Sequence, residues 1–408
     1  MKVLQIDKYY YLKGGAETVF FNTMDLLEEH GHKVIPFCLK SKKNKPSEYA
    51  DNFVDFPELS ESSFLTRLMR VPSFFYNTES AKKIEILIKR EKPDIAHIHL
   101  LFNGISVSIL PVLKKYNVPI VMTVHDYRLI CPAYTFRKGN GEICERCLHK
   151  KNYGQCLKYR CSKGSLINSA LLALDMYFRK TFCDPLDYID NFIFVSKFAQ
   201  AKHIEADSKY AEKSTFLYNF TPEKQVDLLN KQDYFLYLGR ISEEKGIPTL
   251  LEAMAKLPHI HLKIAGTGPL LQQFKDRNMA NVEFLGFKEG KVLAKLIREA
   301  RFVVVPSEWY ENNPLSVIEP MMSGTPVIGS QIGGIPELIQ EGITGYLFHN
   351  GDVEGLSMKI DKAFRLDAAQ YIEMCKATRK YAEANFSEDS YYDKLELIYK
   401  QTIEIGKK

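Results

Sequence analysis

The sequence predicts an α/β chain of two doubly wound parallel-sheet domains. Three observations point there: a length of 408 residues, short apolar strands alternating with helical patterns, and a polar break near residues 219–233 after which the alternation starts afresh. A chain of this length suits two cores of about 150–200 residues each. Hydrophobic residues make up 45% and charged residues 26%, a balance that excludes fibrous and disordered classes.

The opening reads as a βαβ unit. Val3–Asp7 is an apolar strand, Lys8–Glu17 a loop carrying Gly14 and Gly15, and the next helix puts Ala16, Val19, Phe20, Thr23, Met24 and Leu27 on one face. Gly31 is placed to end that helix at its C′ position, and Val34–Leu39 resumes as a strand. Further strands are expected at Ile95–His99, Ile120–Val124 and Phe192–Val195. After the break come Tyr234–Leu238, Leu262–Ala265, Val282–Leu285, Phe302–Val305, Pro326–Ile328 and Tyr346–Phe348. Strands separated by helices imply parallel sheets covered on both faces. The expected division is 1–220, with a Cys-rich insertion at about 131–165, then 221–385, then a Tyr-, Leu- and Ile-rich C-terminal helix over 386–408 that packs back on the first domain. Open α/β sheets bind ligands at the carboxyl ends of their strands, so the expected active site is the cleft that two such Rossmann-like halves form where they face each other.

The net charge is +5, and much of the basic excess lies before Asn219, in runs such as Lys40–Lys45 and Lys150–Lys163. Nothing in that pattern calls for a nucleic acid. The N-terminus enters a strand at once, and no run reaches the roughly 18–20 apolar residues that span a bilayer, so the expected location is the cytoplasm. Phe64-Leu65, Leu68-Met69-Arg70-Val71 and Phe74-Phe75-Tyr76 form an apolar stretch with basic neighbours. It is read as a peripheral membrane contact at the inner face of the cell membrane, or as a helix packed on the first domain.

Pro306–Glu319 carries the clearest chemistry. It follows an apolar strand and opens a helix, so Asn312, Asn313, Pro314 and Leu315 fall where backbone N–H groups and the positive helix end face a ligand. Glu311 and Glu319 stand eight residues apart, close to two helical turns, which would put both carboxylates on one side of the helix. Carboxylates accept hydrogen bonds from sugar and ribose hydroxyls. Gly239-Arg240 and Lys245 follow the first strand of the second domain, where a cationic fork and a point charge suit a diphosphate. Cys144, Cys147, Cys156 and Cys161 make a metal-like quartet with Cys131 nearby. The alternatives are structural zinc, another metal or free thiols, with disulfides disfavoured in a cytoplasmic chain. His97 and His99, at alternating strand positions, are expected to face opposite sides of the sheet.

Pro306–Glu319 resembles the E-x7-E signature of glycosyltransferase family 4. Other pieces match that family in order: Leu238–Ile241 with Lys245-Gly246, Ile264–Pro269, Ser323–Ile328, Gly333–Glu337 and Gly342–Gly345. The resemblance implies a GT-B fold and a hexosyltransferase using a nucleoside-diphosphate sugar, such as a UDP- or GDP-sugar. The acceptor is a hydroxyl of a saccharide or lipid-linked saccharide, in bacterial surface polysaccharide or glycolipid synthesis. It implies that Glu319 binds the ribose, Glu311 the donor hexose, and Arg240 and Lys245 the diphosphate without a catalytic metal. It further implies that Gly14 and Gly15 approach the donor phosphate, Gly286 and Phe287 border the base, and His125 touches the sugar near its anomeric carbon. His99, Asn103 and Ser196 are acceptor-side candidates, with packing for His99 and helix capping for Ser196 as the competing roles. An inverting reaction needs a general base, and the first loop offers only Glu17, which begins a helix, so retention is expected. A nucleotide-sugar epimerase, a phosphorylase and a non-catalytic nucleotide-sugar binder are the competing readings.

Overall fold

The structure, a computed structural model, describes residues 1–56, 71–222, 226, 228 and 230–406. The chain divides into two compact units. The first comprises Met1–Val195, Ala199–Leu217 and Tyr392–Lys408; the second comprises Ser196–Phe198 and Tyr218–Tyr391.

The first unit holds one six-stranded sheet. Its strands are β1 (Lys2–Ile6), β2 (Lys33–Phe37), β3 (Ile95–Ile98), β4 (Ile120–Val124), β5 (Asn191–Phe194) and β6 (Ser214–Phe216), in the order β2-β1-β3-β4-β5-β6. Every pairing is parallel. Strands β3 and β4 are buried throughout, as a sheet covered on both faces requires. Strand β6 is short and half-buried, and its Ser-Thr-Phe sequence carries no alternation that marks it as a strand. The first helix, Gly15–Glu29, ends at the expected place, with Gly31 at φ 75° two residues beyond.

The second sheet contains β7 (Tyr234–Leu238), β8 (His261–Ala265), β9 (Val282–Gly286), β10 (Phe302–Val305), β11 (Val327–Ser330) and β12 (Gly345–Phe348), in the order β12-β11-β10-β7-β8-β9. All of its pairings are parallel too. Side chains alternate across a strand, and the core divides accordingly. Phe235, Tyr237, Phe302 and Val304 enter one apolar layer, whereas Tyr234, Leu236, Val303 and Val305 enter the other.

The order in which successive strands are added reverses beside β1 in the first sheet and beside β7 in the second. The β1/β3 and β7/β10 edges are therefore switch points, where the loops at the strand carboxyl ends diverge and leave room for a ligand.

Residues Phe64, Leu65, Leu68, Met69 and Arg70 of the apolar stretch lie outside the described residues. Of its remainder, Phe74 is buried and Phe75 meets the Phe178 ring at 5.8 Å, so that part packs on the first unit. No helix among the described residues is long and apolar enough to cross a membrane.

One buried side chain ties the loop after β3 to its neighbours. Asn77 caps the helix Thr78–Glu91 by accepting from the Glu79 and Ser80 amides, and its Nδ2 donates to the Gly104 carbonyl at 2.6 Å. Asn77→Ala removes both functions and should destabilise the first unit by about 1–3 kcal/mol, read as a lower urea midpoint with unchanged m-value.

Candidate functional site

In the second unit the loops after β7 and β10 are bound to each other. Gly246 has φ 68° and lies so close to Pro306 that an added Cβ would stand 1.8 Å from the Pro306 carbonyl oxygen, so no other residue fits. The Glu308 amide donates to the Glu244 carbonyl, and Thr249 Oγ1 donates to Glu308 Oε1 at 2.5 Å. These ties carry Lys245 to Glu311.

Three donors converge on one oxygen of Glu311. Lys245 Nζ approaches Oε1 at 2.6 Å, Trp309 Nε1 at 2.7 Å and Ser307 Oγ at 2.8 Å. Burial works to raise the pKa of this carboxyl, but the Lys245 charge and the three hydrogen bonds overcome it and hold it below the usual range. No group among the described residues donates to Oε2. The Glu311 backbone is pinned from behind: its carbonyl accepts from the Gly334 amide at 2.7 Å, and a Cβ on Gly334 would strike the Asn312 carbonyl at 1.8 Å.

Arg240 lies exposed beyond β7, with no ion-pair partner among the described residues. Its carbonyl accepts from the Tyr237 hydroxyl at 2.7 Å, which steadies the turn at Gly239. Asn313 is a structural clasp: its Oδ1 accepts from the Asn219 amide and its carbonyl from Asn219 Nδ2. Asn312 is buried beside it. Gly286 ends β9 with the Phe287 ring exposed just after it.

The helical argument for the two acids needs correction. The helix is Leu315–Met322 with Pro314 as its N-cap, so Glu311 stands in the loop before it, and only Glu319, half-buried in the second turn, is helical. Pro314, extended at φ −71° and ψ 127°, is the last non-helical residue before the first turn.

In the first unit a cavity of about 630 Å³ lies at the carboxyl ends of β1, β3 and β4. Gly14, Gly15, Glu17, His99, Asn103 and His125 line it, so most of the first-domain candidates share one wall system. Asn103 Oδ1 is buried without a hydrogen bond among the described residues. Gly14 is extended at φ −169°, and a Cβ there would meet nothing nearer than 3.5 Å, so the fold itself does not demand glycine. Burial raises the pKa of Glu17, and of Asp7 beside it at the end of β1. Ser196 is buried at the start of the helix Lys197–Ala206.

His97 and His99 share a face of the sheet, contrary to the expectation, because residues two apart on a strand point the same way. Their ring centroids are 4.3 Å apart, and both touch Gln5 of β1. From His125 Nε2 a chain of contacts runs to His99 Nδ1 at 3.0 Å, then from His99 Nε2 to Gln5 Oε1 at 3.0 Å. His97 continues it to Thr123 at 2.7 Å and to the Tyr399 hydroxyl at 2.6 Å. Burial depresses all three imidazoles, His125 to about 4, His97 to about 3 and His99 well below its usual value, so they are neutral at pH 7. Gln5, Thr123 and Tyr399 carry no motif, and only their places in the fold disclose them.

Paired Rossmann-like parallel sheets of this kind, each with its polar loops at the switch point, constitute the GT-B fold. The chain belongs to glycosyltransferase family 4: the model of that family matches residues 13–222, and the model for glycosyl transferases group 1 matches residues 219–385. It is 31% identical over 287 residues to a sulfoquinovosyl transferase of Arabidopsis thaliana, covering 67% of this chain and 50% of that one. The alignment thus spans half the length of that curated relative. A sucrose-phosphate synthase of Thermosynechococcus elongatus superimposes with a TM-score of 0.72 at 18% identity, over 99% of this chain and 100% of that one. Anabaena Alr3699/HepE, solved in complex with UDP, gives a TM-score of 0.65 at 17% identity, over 98% and 100% of the two chains. These two likenesses show the fold.

The histidine network predicts an acid-sensitive first unit. Below the ordinary histidine pKa of 6.5 the unfolded chain takes up protons that folded His97 refuses until about pH 3, so stability falls with pH across that interval. Asp7 and Glu17 act in the opposite sense, because their raised values favour the folded state on acidification. Comparison with His97→Gln isolates the histidine: the stability difference, wild type minus variant, should decline by about 1.4 kcal/mol per pH unit between pH 6 and 4. Urea titrations across that range measure it.

Proposed function

We propose that the chain transfers a hexose from a nucleoside-diphosphate sugar to a hydroxyl of a saccharide or lipid-linked saccharide, with retention and without a catalytic metal. The observation that carries this reading is the Glu311 carboxylate, held ionised in a buried loop with three donors on Oε1 and none among the described residues on Oε2. A fixed acceptor atom at a switch point suits sugar hydroxyls, whose O–H groups donate to it. The UDP complex of Anabaena Alr3699/HepE supports a nucleotide as the leaving part of the donor.

As the glycosidic bond breaks, charge builds on the departing diphosphate. Arg240 and Lys245 supply fixed cations for that charge, which stabilise the transition state more than the ground state. Lys245 is shared between Glu311 and the phosphate in this scheme, so the two residues act as one unit. Glu319 serves the ribose hydroxyls, and Gly286 with Phe287 border the base. His125, neutral at pH 7, contributes a polar contact to the sugar and no proton transfer. The departing phosphate oxygen takes the acceptor proton, which is why a retaining reaction here needs no side-chain base.

Glu311→Gln keeps the shape of the site but loses the charge that orients Lys245. It should lower kcat about 10²-fold or more, and Lys245→Ala should lower it by a similar factor. Their combination should cost little more than either alone, since they act as a unit. Acceptor-dependent release of nucleoside diphosphate is the measurement. Release from wild type that ignores the acceptor would favour an epimerase or hydrolase, and full activity of Glu311→Gln would remove the site assignment.

A further inference from the structure

The cavity of the first unit contains a buried cation, one of whose guanidinium nitrogens meets no hydrogen-bond acceptor among the described residues. Arg128 is 7% exposed, and its Nη1 takes no hydrogen bond among the described residues. Its guanidinium stacks over the Tyr134 ring at 4.7 Å, and both side chains line the cavity. The neighbouring Arg179, even more deeply buried, is paired with Asp175 at 2.9 Å and donates to the Arg128 carbonyl. One buried arginine thus has a carboxylate on its guanidinium, whereas Arg128 has Asp126 nearby, accepting from its amide, but no ion pair on its guanidinium among the described residues. A desolvated guanidinium is costly unless an anion meets it.

The other charged groups on the cavity wall are Lys8, Lys13, Glu17 and Asp126. Lys8 and Lys13 sit over the Tyr9 ring, and Asp126 accepts from the Arg128 amide. Burial raises the pKa of both acids and weakens their opposition to a bound anion. Three cations therefore face a site of about 630 Å³, large enough for a monosaccharide with a charged substituent.

We infer that this cavity binds an acceptor sugar bearing an anionic group, a phosphate or a carboxylate, which pairs with Arg128. The inference rests on the glycosyltransferase reading and names the substrate class of its acceptor side. The fork of Arg128 matches either oxyanion with two parallel hydrogen bonds, while Tyr134 holds the fork flat.

Calorimetry on the full chain with glucose 6-phosphate, glucuronate and neutral glucose tests it, in the presence of UDP. At least one charged sugar should bind about tenfold or more tighter than glucose, as a charge-assisted hydrogen bond predicts. Which of them does so tells phosphate from carboxylate. Arg128→Gln should abolish that preference and leave UDP affinity unchanged. Equal binding of all three sugars to wild type, or a preference that survives Arg128→Gln, overturns the inference; the wild-type comparison decides even where the variant does not fold. Loss of the UDP arm in wild type would instead sink the glycosyltransferase reading itself.

Discussion

The ion pair between Lys245 and Glu311 is the constraint around which the second unit is arranged. A carboxylate buried in a loop ionises only if its surroundings replace the water it has lost. Lys245, Trp309 and Ser307 do so, and each is delivered by a different device. Gly246 permits the loop after β7 to touch Pro306, Gly334 lets the backbone behind Glu311 close up, and β10 carries Ser307 to its carboxyl end. Breaking the pair by removing one partner leaves the other charge stranded, so the pair resists piecemeal change. The concentration of donors on one oxygen also gives the carboxylate a direction, with its second oxygen turned away from the internal partners.

The first unit solves the opposite problem. Its three histidines are kept uncharged by burial, hydrogen bonds to Gln5, Thr123 and Tyr399 hold the rings of His97 and His99, and His99 contacts His125. Neutral imidazoles can hold hydroxyls without competing for a phosphate, whereas a charged one would draw it. The two units thus differ in their electrostatics: an ion pair at the switch point of the second, neutral imidazoles among charged side chains along the wall of the first. Among those charged groups Arg128 is set apart by a buried Nη1 that meets no hydrogen-bond acceptor among the described residues.

Much of this was legible in the sequence because parallel strands buried on both faces are continuous apolar runs. Phe302–Val305 and Ile120–Val124 could be bounded to the residue. Glu311, Lys245 and Arg240 were visible through ordered motifs at strand ends. Other features were beyond reach for identifiable reasons. β6 is three residues without alternation, and the helix after Glu311 starts only at Leu315, so the spacing of the two acids is not a helical repeat. His97 and His99 were misassigned by a slip in strand periodicity, not by any subtlety of the fold. Trp309 is the chain's one tryptophan and lay inside the signature, yet its role depends on where its Nε1 points. Arg128 and Tyr399 have no local pattern at all, since burial and distant contacts define them.

The bond between His97 and Tyr399 joins residues 302 positions apart. During synthesis the sheet that holds His97 leaves the ribosome long before Tyr399 does, and the whole of residues 218–391 is translated in between. Until then the imidazole at the centre of β3 lacks the partner that Tyr399 provides. The first unit therefore cannot finish its interior as a vectorial product: it waits, partly assembled, for a helix made after the second unit. The order of manufacture and the order of assembly are decoupled, so the second unit can be complete while the first is still unfinished.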